Sequence, residues 1–222
     1  MRQNVEMNYF YIRKKHKNKI YIFYIMNSID LNLILDRTKI YNEIKDFLLN
    51  FKKNKNNMLT KRGIYIYGNP GIGKTSFILN LLKDMEYDLI KYDAGDIRNK
   101  NVLDNITKQN MSDKNVLSLL QKKQKEIAIV MDEIDGMNNG DKGGINSLIK
   151  LIRPKKTKKQ KLEDTTLNPI ICIGNYHIDK KINELMKVCL TIEIKTPTNS
   201  QINNLLEKLL PSIKKNIKDI LI

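Results

Sequence analysis

Five short apolar runs recur along the chain: GIYIY at 63–67, DLIKYD at 88–93, IAIVM at 127–131, IICIG at 170–174 and LTIEI at 190–194. Each has the length and β-branched character of a strand. The stretches between them, at 74–84, 100–109, 115–125, 144–153 and 178–188, carry apolar residues at helical spacing instead. Strands that are nearly all apolar are buried on both faces, so this alternation predicts an α/β fold: a five-stranded parallel sheet with helices on both sides. Ligands on such sheets sit at the carboxyl ends of the strands. Ahead of the first strand, YNEIKDFLLNF (41–51) has helical periodicity and KKNKNNMLTKR is a polar connector. The last segment, NSQINNLLEKLLPSIKKNIKDILI, reads as helical with a break at Pro211, the start of a small helical subdomain. The chain thus divides into a poorly ordered basic arm (1–26), a core (27–197) and a partial helical lid (198–222).

A chain of 222 residues fits one domain of ordinary size, or one domain plus a fragment of another. Charge changes the picture more than length does. Lys+Arg 40 against Asp+Glu 24 leaves +16, a surface suited to polyanions, nucleic acid before membrane. Cys172 and Cys189 are the only cysteines and both sit inside apolar runs, which fits a reducing, intracellular compartment and not a disulfide scaffold. His16 and His177 form no zinc-type spacing with them. No apolar run reaches the roughly 18 residues of a membrane span. RKKHKNK followed by IYIFYI (20–25) resembles a signal peptide in outline, but it is short and lacks a small-residue cleavage site; a basic arm, or an extension ahead of an internal start at Met26, also accounts for it.

The strand GIYIY runs directly into GNPGIGKT, which satisfies G-x-x-x-x-G-K-[ST] in the required strand–loop–helix context. Gly68, Asn69, Pro70, Gly71, Ile72 and Gly73 form a loop whose N–H groups can turn around a polyphosphate, and Ser76 belongs to the first helical turn behind it. Lys74 reaches the terminal phosphates and Thr75 is placed to ligate Mg²⁺. The strand IAIVM ends on Asp132 and Glu133. Placed beside the loop strand, it would deliver Asp132 to the Mg²⁺ and Glu133 to an attacking water, so the adjacent acids point to hydrolysis as well as binding. NPIICIGN ends on Asn175, whose amide can hydrogen-bond both a terminal phosphate and that water; Asn at a strand end is also ordinary turn chemistry.

The order GNPGIGKT, MDEID, Asn175 resembles that of AAA+ P-loop ATPases. Three stretches resemble the replication factor C large-subunit family of sliding-clamp loaders more specifically. KYDAGDIRNK (91–100) is similar to that family's Asn-Ala-Ser-Asp-x-Arg box, MDEIDGMNNGDKGGINSLIKLIR (131–153) to its acidic strand with Gly-Met and a Gly-Gly helix start, and NPIICIGN (168–175) to its sensor strand. The resemblance covers residues 30 to 210. It implies ATP and Mg²⁺ as cofactors and Lys74, Glu133 and Asn175 as catalytic residues. It also implies small AAA+ clamp-loader subunits, a sliding clamp and primer-template DNA as partners, with no membrane, in a nucleus or a viral replication compartment. Where the small subunits carry Ser-Arg-Cys, the arginine finger for a neighbour's site, this chain has Lys187, Val188 and Cys189. The large subunit also lacks that finger, so its absence fits that resemblance; the family further implies that a small AAA+ partner supplies an arginine to this chain's own site in trans. The family's Lys-Tyr-x-Pro adenine motif is not recognisable before Asp36, and the chain does not reach a sensor-2 arginine or collar. A fragment, a split gene product or a minimal subunit would each fit. A non-hydrolysing ATP-dependent DNA-binding scaffold and an origin-recognition or helicase-loading AAA+ protein remain alternatives.

Other segments have two readings each. The helix starting at GDKGG, with Lys142 beside it, is a backbone-phosphate contact or a surface turn. RPKKTKKQK (153–161) packs six cations into nine residues, either a DNA contact or a solvated loop, where the resembling family has a much shorter connection. Residues 101–120 lie where that family approaches its clamp, yet also read as core-facing helices. Asp96 is a helix cap or part of the box.

Overall fold

The computed structural model describes residues 30–93, 125–139, 144–163, 165–175 and 180–209. The basic arm, residues 94–124 with Asp96 and two expected helices, Lys142, His177 and Pro211 lie outside the described residues. Two compact units emerge, one spanning Lys39–Thr196 and the other combining residues up to Thr38 with those from Pro197 onward. In the second, α1 (Leu31–Ile34) is capped by Asp30, whose carboxylate accepts from the backbone N–H of Asn32 and Leu33. The later helix of that unit, Asn199–Leu209, opens with a reciprocal cap: Thr198 N–H donates to Gln201 Oε1 and Gln201 N–H to Thr198 Oγ1.

The larger unit runs α2 (Thr38–Lys53), β1 (Gly63–Tyr67), α3 (Lys74–Asp84), β2 (Asp88–Tyr92), β3 (Ile127–Met131), a 3₁₀ turn (Ile134–Asn139), α4 (Gly144–Ile152), β4 (Ile170–Ile173), α5 (Lys180–Val188) and β5 (Leu190–Glu193). The sheet is wholly parallel in the order β2-β3-β4-β1-β5. The strand period sorts its side chains into two cores. Tyr65, Ile129, Met131, Ile170 and Cys172 face α4 and α5. Ile64, Ile66, Ala128, Val130, Ile171 and Ile173 face α2 and α3. Apolar strands covered on both sides are therefore the observed architecture, with β2 left half-exposed at one edge. Among the described residues no helix is long and apolar enough to cross a membrane. Both cysteines are buried thiols, and burial pushes that of Cys189 up to about 12.

One sequence expectation needs correcting. β3 does not lie beside β1; β4 is inserted between them, pairing Ile64 with Ile171 on one side and Val130 with Ile171 on the other. Strand adjacency is decided by crossovers between distant segments, which local apolar pattern does not encode.

The polar segments also differ from their sequence reading. Arg62, at the end of the connector, is 2% exposed. It donates to the carbonyls of Thr166, Lys55 and Asn57 and lies over the Phe51 ring. The segment 153–161 is folded as well. Lys155 is fully buried, donating to Lys150 O and to Glu163 Oε2 at 3.2 Å, while the Arg153 guanidinium forks onto both Glu163 oxygens. Arg153, then Lys155, hold the Glu163 carboxyl down at about 2 from its ordinary 4.5. A depressed carboxylate stabilises the fold above its unfolded value and stops doing so as pH falls through its folded value. Glu163→Gln is therefore expected to lower the thermal midpoint at pH 7. The gap from the parent protein should close as pH is taken from about 4.5 to about 2; a gap independent of pH in thermal melts would refute the ion-pair account.

Candidate functional site

At the carboxyl ends of β1, β3 and β4 lies a cavity of about 320 Å³, within the size range of small-ligand pockets. Pro70, Gly71, Gly73, Lys74, Thr75 and Ser76 line one side, Asp132 and Glu133 another, and Ile173 to Asn175 the space between. The loop keeps this shape because Gly71 and Gly73 take φ of 76° and 82°, a region costly for any residue with a Cβ. Gly73 is also the N-cap of α3, so the helix's free N–H groups open onto the cavity.

Lys74 is buried, and its ammonium donates to Gly68 O (3.0 Å), Asn69 O (2.9 Å) and Asn175 Oδ1 (2.9 Å). Burial pulls its pKa below the ordinary lysine value, opposed by the charges of Asp135 and Asp132. Thr75 Oγ1 donates to Asp132, 3.0 Å from Oδ2 and 3.2 Å from Oδ1. A hydroxyl and a carboxylate in contact at the foot of a helix N-terminus are the hard oxygen donors that Mg²⁺ prefers. Among the described residues no three His, Cys, Asp or Glu side chains converge on one point. A cation here would therefore rely on Thr75, Asp132 and its ligand's own oxygens, and the residues present fit a magnesium-bound polyphosphate.

Glu133 is exposed at the cavity rim with φ of 52°, a left-handed backbone for a non-glycine residue. Such strain costs roughly 1–3 kcal/mol and concentrates at functional sites. Its own N–H donates to Asp132 Oδ1 at 3.1 Å, which ties the Asp132 carboxylate to the backbone of its neighbour.

Not every expected residue faces the cavity. Gly68 contributes its carbonyl to Lys74. The Asn69 side chain donates to Thr196 Oγ1. Ile72 packs on the core at the α3 face. Of the Gly-Gly helix start, Gly144 is buried, and the residues at 140–143 lie outside the described residues.

Two residues were missed from sequence. Asn175 Nδ2 donates to Asp135 Oδ2 at 3.0 Å, so the amide bridges Lys74 and Asp135, while Asp135 Oδ1 is buried without a hydrogen bond. The available signal was the third acid of MDEID. Lys91 Nζ lies 3.0 Å from Asp93 and 3.1 Å from Asp132 Oδ2. Its hydrogen bond to Asp93 raises its pKa most, desolvation opposes this, and the hydrogen bond to Asp132 raises it further. The signal was a lone lysine near the end of an apolar strand. Its positive charge opposes a divalent cation at Asp132. Lys91→Met is expected to lower the Mg²⁺ concentration for half-maximal nucleotide binding by about two- to fivefold, for charges several Å apart in a solvent-screened setting. Titrating Mg²⁺ against the fluorescence of a bound adenine-nucleotide analogue reads this directly; an unchanged or raised midpoint contradicts it.

Comparison with known proteins agrees with this geometry. The model of the ATPase family associated with various cellular activities (AAA) matches residues 64–198. The chain is 28% identical over 178 residues to replication factor C subunit 1 of Saccharomyces cerevisiae, covering 73% of this chain and 19% of that protein. It is 24% identical over 208 residues to the replication factor C large subunit of Nanoarchaeum equitans, covering 93% and 44%. With the corresponding subunit of Methanococcus aeolicus it is 30% identical over 162 residues, covering 72% and 30%. The chain thus spans less than half the length of these relatives. It belongs to the AAA family of ATPases, and the relatives it resembles there are replication factor C large subunits.

Proposed function

We propose that the chain binds ATP with Mg²⁺ and hydrolyses it as the large-subunit-like member of a clamp-loading assembly acting on primed DNA. The observation that carries the reading is the convergence in one cavity of Lys74, the Thr75–Asp132 contact, Glu133 and Asn175, borne at the ends of two different strands and on one helix. The similarity to replication factor C large subunits supports the choice of partners.

Lys74 neutralises the terminal phosphates, exchanging carbonyl and amide partners for phosphate oxygens of higher charge. Thr75 and Asp132 would hold a magnesium ion, which when bound would supply positive charge against the phosphate oxygens. Glu133 accepts a proton from water, and Asn175, oriented by Asp135, positions that water and the terminal phosphate. The described residues lining the cavity include no arginine. A neighbouring small AAA+ subunit supplies one in trans, so the chain alone turns over slowly. A sliding clamp and a primer-template junction complete the assembly, in a nucleus or a viral replication compartment.

The test is ATP turnover by the chain reconstituted with small clamp-loader subunits, with and without clamp and primed DNA. Stimulation by both, lost with Glu133→Gln, is expected. An assembly that binds ATP and DNA but never turns over would point to a scaffold instead, and preference for duplex origins over primer junctions to an origin-binding protein.

A further inference from the structure

At the opposite end of the sheet from the nucleotide cavity, the segment 153–163 leads into β4. Its six cations divide into two kinds. Arg153 and Lys155 are structural, tied to Glu163, and Lys155 N–H also donates to Met58 O on the neighbouring connector. Lys156, Lys158, Lys159 and Lys161 are exposed. None of these four forms an ion pair among the described residues. No carboxylate occurs from 154 to 162.

These four lysines are held in place by the fold. Thr157 and Gln160 cap each other reciprocally, Thr157 N–H donating to Gln160 Oε1 (3.1 Å) and Gln160 N–H to Thr157 Oγ1 (3.2 Å). Lys156 N–H adds a second bond to Gln160 Oε1 at 2.9 Å. A 3₁₀ turn at Gln160–Leu162 follows, and the buried Lys155 and the Arg153–Glu163 fork pin the two ends. Like charges clustered within six residues repel one another, so an ordered turn that gathers them works against its own electrostatics until a polyanion arrives. A chain already at +16 does not need them for solubility.

We propose that residues 156–161 are a docking surface for the phosphate backbone of DNA, separate from the nucleotide cavity; the choice of DNA rests on the function proposed above. Backbone phosphates require point cations and no base readout, which is what exposed lysine ammonium groups offer. Acidic peptide motifs are read by clustered arginines, whereas the four exposed cations here are all lysines. Leu162 is 88% exposed and Met58 42% exposed beside the turn, so a lipid surface is the competing occupant to be tested.

The full chain carrying Lys156→Ser, Lys158→Ser, Lys159→Ser and Lys161→Ser together is compared with the parent in DNA binding to a fluorescent primer-template across a salt series. Arg153 and Lys155 are left intact so that the fold survives, which a melting curve checks. Four lost phosphate contacts at about 0.9 each should flatten the slope of log affinity against log salt by about 3 to 4, with ATP-analogue binding unchanged. An unchanged slope overturns the docking surface while leaving the proposed function intact. No DNA binding by the parent protein at any salt overturns both. Loss of binding to phosphatidylserine vesicles without a change in the DNA slope also overturns the proposal and assigns the turn to membranes. A variant that does not fold is replaced by the Lys156→Ser, Lys158→Ser pair, whose slope should fall by about half as much.

Discussion

Lys74→Ala is expected to weaken ATP-analogue binding by at least about 100-fold, equivalent to about 2.7 kcal/mol. The side chain is buried at the loop's centre, donating to two loop carbonyls and to Asn175. Its removal therefore does two things. It takes the principal counter-charge away from the phosphates, where charge-assisted hydrogen bonds are each worth about 1.5–3 kcal/mol. It also frees the carbonyls of Gly68 and Asn69, which then present oxygen lone pairs toward an anionic ligand. Equilibrium titration with a fluorescent nucleotide analogue measures the loss, and circular dichroism checks that the sheet is intact. Affinity within a few-fold of the parent protein would remove Lys74 from the site and with it the phosphate reading of the whole loop.

Glu133→Gln should have a different signature. Turnover by the reconstituted assembly is expected to fall about 10²–10⁴-fold, the range for losing a general base, while ATP affinity changes little. The reason is positional. Asp132, not Glu133, contacts Thr75, so the cation donors survive the substitution. Glutamine keeps the shape of glutamate, and the left-handed backbone at this position is retained. A nucleotide-bound, stalled protein is the expected product, seen as retained labelled ATP after gel filtration. Equal losses of affinity and turnover would make Glu133 a binding residue, and unaltered turnover would place the base elsewhere.

Much of the site was legible because its parts are local. The loop from Gly68 to Thr75 is contiguous, and its glycines, lysine and threonine are dictated by phosphate geometry over eight residues. The three central strands β1, β3 and β4 were legible for a similar reason, since burial on both faces leaves an unbroken apolar run. The acid pair at 132–133 follows directly from a strand that ends at Met131. Lys91 and Asp135 were not legible, because each acts on a residue brought to it by strand order or by a turn. Lys91 reaches Asp132 only because β2 pairs with β3 in the register Lys91 to Val130. The segment 153–161 was misread in part for an electrostatic reason: a run of cations looks uniform until a carboxylate selects some of them.

The amino-acid order alone determined the strand and helix segments, the phosphate loop and the carboxylates that follow an apolar run, because periodicity and short-range spacing are properties of neighbours in the chain. Only the tertiary structure decided that β4 enters between β1 and β3 and carries Asn175 to both Lys74 and Asp135. It alone decided that Lys155 is buried against Glu163 while four lysines beside it stay exposed. The strand order depends on contacts between segments tens of residues apart, and the sorting of the lysines on which of them the fold buries, so both are settled by packing and not by local preference.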